Sequence, residues 1–506
     1  MNLKQKVVSG SLWALLEKFG RLFVGFGVTL VLARLLTPAD YGIVALLTIF
    51  IAISGSLVDA GFGDALVQKK DATELDFNSV FYLALGLSLV FYFVLFLLAP
   101  VIARFYEQPI LVPILRILAF TLVFNSINSV QNAELVRNLQ YNKSFKISLF
   151  SLATTSILGV TLAFLGYGPW AIVWSQFGGG VVGVVSRWFI IAWRPRWMFS
   201  WQSVRGLFRF GWKVTCVSLI DKAYTNLYGL LIGKLYTPAD LALVNKGKNL
   251  PSLFMDAVNG TINAVAFPAM AQLQDQMDKV RLGMRKMVLC STFLVFPLMV
   301  GLAICAPNVV YLLFGEKWLP CTPYVQLACF SFALYPLQTI NLFTVLALGH
   351  SDMFLKLEII KKAVGILLIV ISIRHSVMVF MLVSTFVLNP FSLFVNTWPV
   401  KRIIGYPLLR QLRDVMPAVF GSLLMGFVVW GIGLLTPYIQ SLVPSSFVAT
   451  SIILMAQVFT GAFTYGIYSY VCKLDAMGEY WRILGPRLSK LFPCIVMKLN
   501  ARFLGK

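Results

Sequence analysis

The sequence predicts an all-α polytopic membrane protein of about 14 transmembrane helices, with two parallel-repeat six-helix lobes in a V about a central cavity and two extra C-terminal helices. Three observations predict this. Of 506 residues, 59% are hydrophobic and only 12% charged, with a mean hydropathy of +0.82; a soluble chain of this length needs more polar surface. Apolar runs of roughly 20 residues recur throughout, about the length that crosses a hydrocarbon layer near 30 Å thick. The opening also recurs: Thr37-Pro38-Ala39-Asp40 reappears as Thr237-Pro238-Ala239-Asp240. Each copy follows the same kind of apolar helix with a basic residue near its end, Arg34 in one and Lys234 in the other. The second copy therefore reads as the start of a repeated unit shifted by 200 residues.

Taken in order, the predicted spans are 9–36, 42–66, 78–103, 111–134, 144–166, 168–192, 210–236, 240–268, 287–306, 321–349, 354–373, 377–400, 416–437 and 447–472. The first continues beyond 20 residues without a small-residue cleavage pattern, so it reads as a retained span and not a signal peptide. Six spans separate the two openings, which gives both repeats the same membrane orientation and puts the substrate path between the halves. The domains follow: an N-lobe over 1–192, an interfacial linker over 193–209, a C-lobe over 210–400, spans 13 and 14 over 401–472, and a basic tail over 473–506. The linker alternates Trp and Arg (Trp193, Arg194, Arg196, Trp197, Trp201) and is too charged to span, so it is expected at headgroup depth. The tail sets Trp481, Leu484, Leu488 and Leu491 against Arg482, Arg487 and Lys490, and is expected to rest on the membrane as well.

Charge sets the topology. The connections on one side carry Lys69/Lys70, Arg137/Lys143/Lys146, Arg281/Arg285/Lys286 and Lys401/Arg402/Arg410/Arg413, among others. Those on the other side carry only Arg104, Lys317 and Arg374. Both termini are therefore expected in the cytoplasm. The formal net charge of +22 belongs to this bias and to contact with anionic membrane lipids, not to nucleic acid. Seven cysteines without a CxxC pair, mostly inside apolar runs, indicate neither a disulfide framework nor a metal site. The only two histidines, His350 and His375, sit at span ends. No HExxH, P-loop or GxSxG is present, and the outward loops are too short for a catalytic domain. No catalytic residue, cofactor or metal is expected, and the chain reads as a non-enzyme.

Charged and polar residues inside spans are the functional candidates, because an intramembrane charge costs at least about 2.5 kcal/mol unless it faces a cavity or a partner. Span 1 carries Glu17, Lys18 and Arg21; Glu17 and Arg21 are spaced to pair, which leaves Lys18 as the surplus cation. Span 2 has Asp59, span 4 has Asn125, Asn128, Ser129 and Asn132, and span 7 has Asp221 and Lys222. Span 8 has a long stripe of Asn245, Lys248, Asn249, Ser252, Asp256, Asn259 and Asn263 on one helical face. Lys246 lies about 200° from Lys248 around that helix and is expected to reach the outer interface instead. For the Asn, Ser and Thr positions, interhelical hydrogen bonding competes with cavity lining. For Lys18, Arg21, Lys222 and Lys248 a cavity is the better reading, since burying a cation as mere glue is expensive. Arg34, Lys234, Lys361, Lys362 and Arg187 lie close enough to span ends to reach the interface without a function. Pro251 and Pro336 fall inside spans 8 and 10 as kinks, serving either as hinges or as passive bends.

Several short motifs, in order, carry a family resemblance. They are Val31-Leu32-Ala33-Arg34, Asp59-Ala60-Gly61-Phe62-Gly63-Asp64, Asn138-Leu139-Gln140-Tyr141-Asn142-Lys143, Phe267 to Asp275 (FPAMAQLQD) and Phe314-Gly315-Glu316-Lys317-Trp318. The chain resembles Wzx-type polysaccharide flippases of the superfamily that includes multidrug (MATE) antiporters and lipid II flippases, nearest the colanic-acid-exporter and teichuronic-acid branch. The resemblance implies movement of undecaprenyl-diphosphate-linked oligosaccharide from the inner to the outer leaflet of a bacterial cytoplasmic membrane by alternating access, for surface polysaccharide. It implies basic residues on spans 1, 2, 7 and 8 for the diphosphate. Here Lys18, Arg21, Lys222 and Lys248 fit, with Asn245, Asn249, Asn125 and Asn128 as polar lining. Span 2 departs by offering Asp59 and Asp64, so Asp59 joins Glu17, Asp221 and Asp256 as candidates for a coupling ion. The alternatives are a MATE-like antiporter, which would favour acidic cavity residues, and a membrane polymerase, which would need a large catalytic loop. Action as a monomer and a partnership with the polysaccharide polymerase both remain open.

Overall fold

The structure is a computed structural model that describes residues 3–69, 71–443 and 445–488. These contain helices and connecting chain, with no strand among the described residues. In order the helices are α1 (Leu3–Leu35), α2 (Pro38–Asp59), α3 (Phe62–Gln68), α4 (Glu74–Tyr106), α5 (Leu111–Leu118), α6 (Thr121–Arg137), α7 (Tyr141–Phe164) and α8 (Pro169–Ile190). They continue with α9 (Trp201–Leu235), α10 (Pro238–Gln272), α11 (Met277–Phe314), α12 (Thr322–Ala333), α13 (Tyr335–Ala347) and α14 (Ser351–Ile373). The described residues end in α15 (Val377–Val383), α16 (Asn389–Ile404), α17 (Leu408–Gly433), α18 (Thr436–Leu442), α19 (Ser446–Val471) and α20 (Asp475–Leu488).

Nine helical stretches among the described residues combine the length and apolarity needed to cross a membrane. The other five segments read as spans fall on α1, α8, α9, α10 and α14, which carry the internal charges or, in α8, Gln176 and a glycine run. Among the described residues five spans are interrupted, including span 4 between α5 and α6 and span 13 between α17 and α18. Span 2 turns at Ala60 and Gly61, both left-handed (φ 44° and 68°), which separates α2 from α3. Span 10 breaks at Leu334, where Pro336 starts α13 instead of kinking a continuous helix. Span 12 passes through a π-helical turn, Ser384–Leu388, between α15 and α16. Pro251, by contrast, lies within the unbroken α10.

The helices form two compact units, Met1–Ala242 and Leu243–Lys506. This packing boundary is a different division from the lobe boundary expected near residue 210: α9, expected to open the second lobe, packs on α2, α3 and α4 of the first unit. Both repeat openings cap a helix in the same way. The Thr37 hydroxyl accepts from the Asp40 amide at 3.3 Å while Asp40 Oδ2 accepts from the Thr37 amide at 2.8 Å. The corresponding Thr237 and Asp240 distances are 3.2 and 3.1 Å. Each pair closes a capping box that satisfies orphan helix-start donors.

Close approach between helices depends on glycine. At Gly42 an added Cβ would lie 1.9 Å from the Pro238 carbonyl oxygen, so the two repeat openings touch backbone to backbone. Nearby, a Cβ at Gly233 would lie 2.1 Å from Leu46 Cδ2. The run Gly178-Gly179-Gly180 does the same for α8: added carbons would strike Leu158 and Thr155 of α7 and Phe124 of α6. The linker from Ile191 to Ser200 seats on the start of α4. The Ser200 amide donates to Ser79 Oγ at 2.9 Å, Trp193 packs on Phe77 and Phe81, and Arg196 pairs with Glu74 at 3.2 Å. Trp197 stacks on Tyr82 yet stays 94% exposed, as a ring at an interface would be. In the second unit α20 docks on α11, with the Tyr480 hydroxyl donating to the Cys290 carbonyl at 3.2 Å and Lys286 paired with Glu479 at 2.9 Å. The start of the expected surface-lying tail is thus anchored to protein; residues 489–506 lie outside the described ones.

Candidate functional site

In the first unit, α1, α6, α7 and α8 frame an open cavity of about 240 Å³ lined by Arg21, Asn128, Ser148, Ser151, Thr155 and Arg187, with Ile147, Leu152 and Gly183. Its geometry begins with α1. Glu17 and Arg21 pair across one turn at 2.7 Å, as their spacing predicts. Ser148 of α7 completes a triangle, accepting from Arg21 Nη2 and donating to Glu17 Oε1, each at 2.7 Å. The Arg21 side chain stays 63% exposed, so the pair restrains the guanidinium without burying it. The Asn128 side-chain oxygen and Arg187 Nη1 are both buried at this cavity and have no hydrogen-bond partner among the described residues. Both are costly to leave unmatched in a dry environment.

The interior orientation of Arg187 differs from the sequence expectation that it reaches the interface. The cause is local. Helical side chains lean toward the N-terminus and cover the preceding turn. The residue one turn back is Gly183, which is buried and lines the same cavity, facing Ser151 of α7. Arg187 lies within electrostatic reach of both Glu17 and Arg21. Ser148, Ser151 and Thr155 were also not singled out from the sequence. Their signal is present as hydroxyl spacings of three and four along span 5, which lacks the internal charges of spans 1, 7 and 8.

The remaining candidates are dispersed. Lys18 is exposed, one position from Glu17. On α6, Asn125 is exposed; one residue beyond Asn128, Ser129 donates to Asp59 Oδ1 at 3.0 Å. That contact fits beside Gly63, where a Cβ would come within 2.9 Å of the Ser129 oxygen. Asp221 and Lys222 are exposed on α9. In the second unit Asn245 is half-buried, Asn249 and Asp256 are exposed, and Lys248 Nζ lies 5.6 Å from the centre of the Phe380 ring. The side chains at 64, 259 and 263 lie outside the described ones.

Lys246 departs from the expected reach to the interface, whereas Lys234 is exposed at the end of α9. Lys246 is only 7% exposed and sits over two rings, 4.7 Å from the centre of Phe314 and 5.2 Å from that of Trp318. Gly247 draws α10 to within 2.5 Å (for an added Cβ) of Tyr324, which holds the lysine inside the fold. Lys234 pairs with Glu107 at 2.9 Å and lies 5.3 Å from the Phe105 ring centre. No group of three or more His, Cys, Asp or Glu side chains suited to a metal occurs among the described residues.

A polytopic helical fold of this kind describes a membrane transporter. Residues 31–323 match the family described as "Polysaccharide biosynthesis protein", and the chain belongs to that family. It is 27% identical over 336 residues to the lipopolysaccharide biosynthesis protein WzxC of Escherichia coli (strain K12), covering 65% of this chain and 67% of that one. To the teichuronic acid biosynthesis protein TuaB of Bacillus subtilis (strain 168) it is 23% identical over 447 residues, covering 86% and 91%. The fold is similar to that of the lipid II flippase MurJ in its inward closed conformation, with a TM-score of 0.70 at 13% identity and coverage of 94% of this chain and 99% of that one.

Proposed function

We propose that this protein carries an undecaprenyl-diphosphate-linked oligosaccharide from the inner to the outer leaflet of a bacterial cytoplasmic membrane, for surface polysaccharide assembly. One observation carries the reading: the cavity that pairs Arg21 with Arg187 on a wall of serine and threonine hydroxyls. The isoprenoid stays in the bilayer, while the diphosphate and sugars need a hydrated, polar route. Guanidinium groups meet phosphate oxygens in a forked geometry that offsets part of the desolvation cost. The unpartnered Arg187 Nη1 and Asn128 oxygen are what a polar headgroup would satisfy. In this reading spans 1–6 and 7–12 act as repeat-related lobes, Lys18, Lys222 and Lys248 supply further positive potential, and both termini are cytoplasmic. Glu17, which already accepts from Arg21 and Ser148, serves to orient Arg21. A cation antiporter would need an open carboxylate in this cavity, where Glu17 is already paired with Arg21.

The test is translocation of a fluorescent undecaprenyl-diphosphate oligosaccharide in proteoliposomes, comparing wild type with Arg21→Ala, Arg187→Ala and Lys248→Ala. Protein-dependent flipping that drops at least tenfold in the arginine variants is the expected result. Wild-type rates in both arginine variants would keep the function and reject this cavity. No flipping by folded wild type, with matching sugar, would reject the function.

A further inference from the structure

The second unit holds a larger basic cavity that the transport reading does not use. It has a volume of about 800 Å³ and is framed by the starts of α11 and α17 and the chain between α16 and α17. Four arginines line it, Arg281, Arg285, Arg410 and Arg413, against the two carboxylates Asp278 and Asp414. A smaller cavity of about 290 Å³ adjoins it through Leu282 and Arg285 and extends to α20.

The carboxylates are already committed. Asp414 receives Arg285 through a two-point pair at 2.9 and 3.0 Å and accepts the Tyr406 hydroxyl at 2.7 Å. Burial, together with donation to Asp414, pushes the Tyr406 phenol well above its ordinary range, so that it remains a donor. Gln411, fully buried, donates to the Tyr406 carbonyl at 3.1 Å and exchanges hydrogen bonds with Asn341 at 2.8 and 2.9 Å, which ties the frame to α13. Asp278 pairs with Arg281 at 3.0 Å but is 92% exposed, and such a pair contributes little. Arg410 and Arg413 have no ion pair among the described residues. The result is a frame of paired charges carrying two exposed guanidinium groups that no described carboxylate pairs.

The setting decides the class of ligand. The cavity lies at the ends of helices whose adjoining stretches are long and apolar enough to span a membrane, so it opens at a membrane–water boundary. Leu282 (54% exposed) and Leu409 (80% exposed) line the same cavity. A soluble phosphate compound has no use for leucines left open at this rim; a phospholipid places its phosphate among the arginines and its acyl chains along the leucines. We infer that this cavity is a binding site for the headgroup of an anionic phospholipid, with Arg410 and Arg413 as the phosphate ligands and Leu282 and Leu409 against the acyl chains. Occupancy would join the start of α17 to α11 and stabilise the second unit by mass action.

The test uses the full chain, purified in neutral detergent and stripped of lipid, with native mass spectrometry during titration of dioleoyl phosphatidylglycerol or dioleoyl phosphatidylcholine. Wild type is expected to retain phosphatidylglycerol at least tenfold more tightly than phosphatidylcholine. Arg410→Gln/Arg413→Gln should lose that preference, while Arg104→Gln, a basic residue elsewhere, should keep it. An unchanged thermal unfolding midpoint in lipid-free detergent checks that the double variant is folded. Equal retention of the two lipids by wild type, or an unaltered preference in the double variant, would overturn the proposal. Displacement of phosphatidylglycerol by millimolar inorganic phosphate would also overturn it, in favour of a soluble anion. The site lies apart from the Arg21–Arg187 cavity, so its failure leaves the flippase reading standing.

Discussion

Gly42→Ala tests how tightly the two repeat openings are held. The added Cβ would sit 1.9 Å from the Pro238 carbonyl oxygen, 2.2 Å from its carbon and 2.8 Å from its Cα. All three are backbone atoms, at the first position of α10, where the Thr237/Asp240 capping box fixes the chain. No side-chain rotation relieves the clash. Reaching an ordinary 3.4 Å contact means moving α2 and the start of α10 apart by about 1.5 Å. Forcing a methyl group into a packed interface costs typically about 1–3 kcal/mol. A cost near 2 kcal/mol is about a thirty-fold change in any equilibrium that includes this contact. The expected result is a lower unfolding midpoint in detergent, together with faster maleimide labelling at Lys234→Cys, since Lys234 lies at the end of the helix that packs on α2. Gly25→Ala and Gly27→Ala, where nothing lies within 4 Å, serve as controls and should leave both readouts unchanged or raise the midpoint slightly. A Gly42→Ala protein with wild-type stability, labelling and transport would refute the claim that this backbone contact is part of the working structure.

Other predictions follow from the same geometry. Gly179→Ala would put a carbon 1.9 Å from Thr155 Oγ1 and should destabilise α7–α8 by about 1–3 kcal/mol; Thr155→Ala in the same chain should recover most of the loss in a thermal melt. Lys246→Ala empties an aromatic enclosure and should cost about 2 kcal/mol, whereas Lys246→Met fills it; transport should stay near wild type in the folded Met variant, as a structural lysine requires. Arg187→Lys keeps the charge but not the fork, and should give a translocation rate between wild type and Arg187→Ala. Thr37→Ala and Thr237→Ala should each cost about 1 kcal/mol of stability, by similar amounts, because the two caps share one geometry.

Much of this protein was legible in one dimension because its signals are local or periodic. Long apolar runs, the doubled Thr-Pro-Ala-Asp opening and the i, i+4 spacing of Glu17 and Arg21 each act within a helix or at its start. A sequence therefore displays them directly. The helical class, the two matching caps and the Glu17–Arg21 pair all follow from that. What tertiary structure alone decided is which side chains turn toward one another between helices. Arg187, three residues from the end of α8, has the sequence signature of an interfacial residue; only the packing of α8 on α6 and α7 brings it to the cavity of Arg21. Lys246 reads as a residue that reaches water, yet Gly247 brings α10 so close to Tyr324 that the ammonium ends beneath two aromatic rings. Ser148 is an unremarked serine until α7 places it between Glu17 and Arg21. Helical periodicity states which face a residue shares, but the depth of approach between two faces depends on pairs of residues far apart in the chain. Glycines set that depth here, and only the folded arrangement reveals which of them do so.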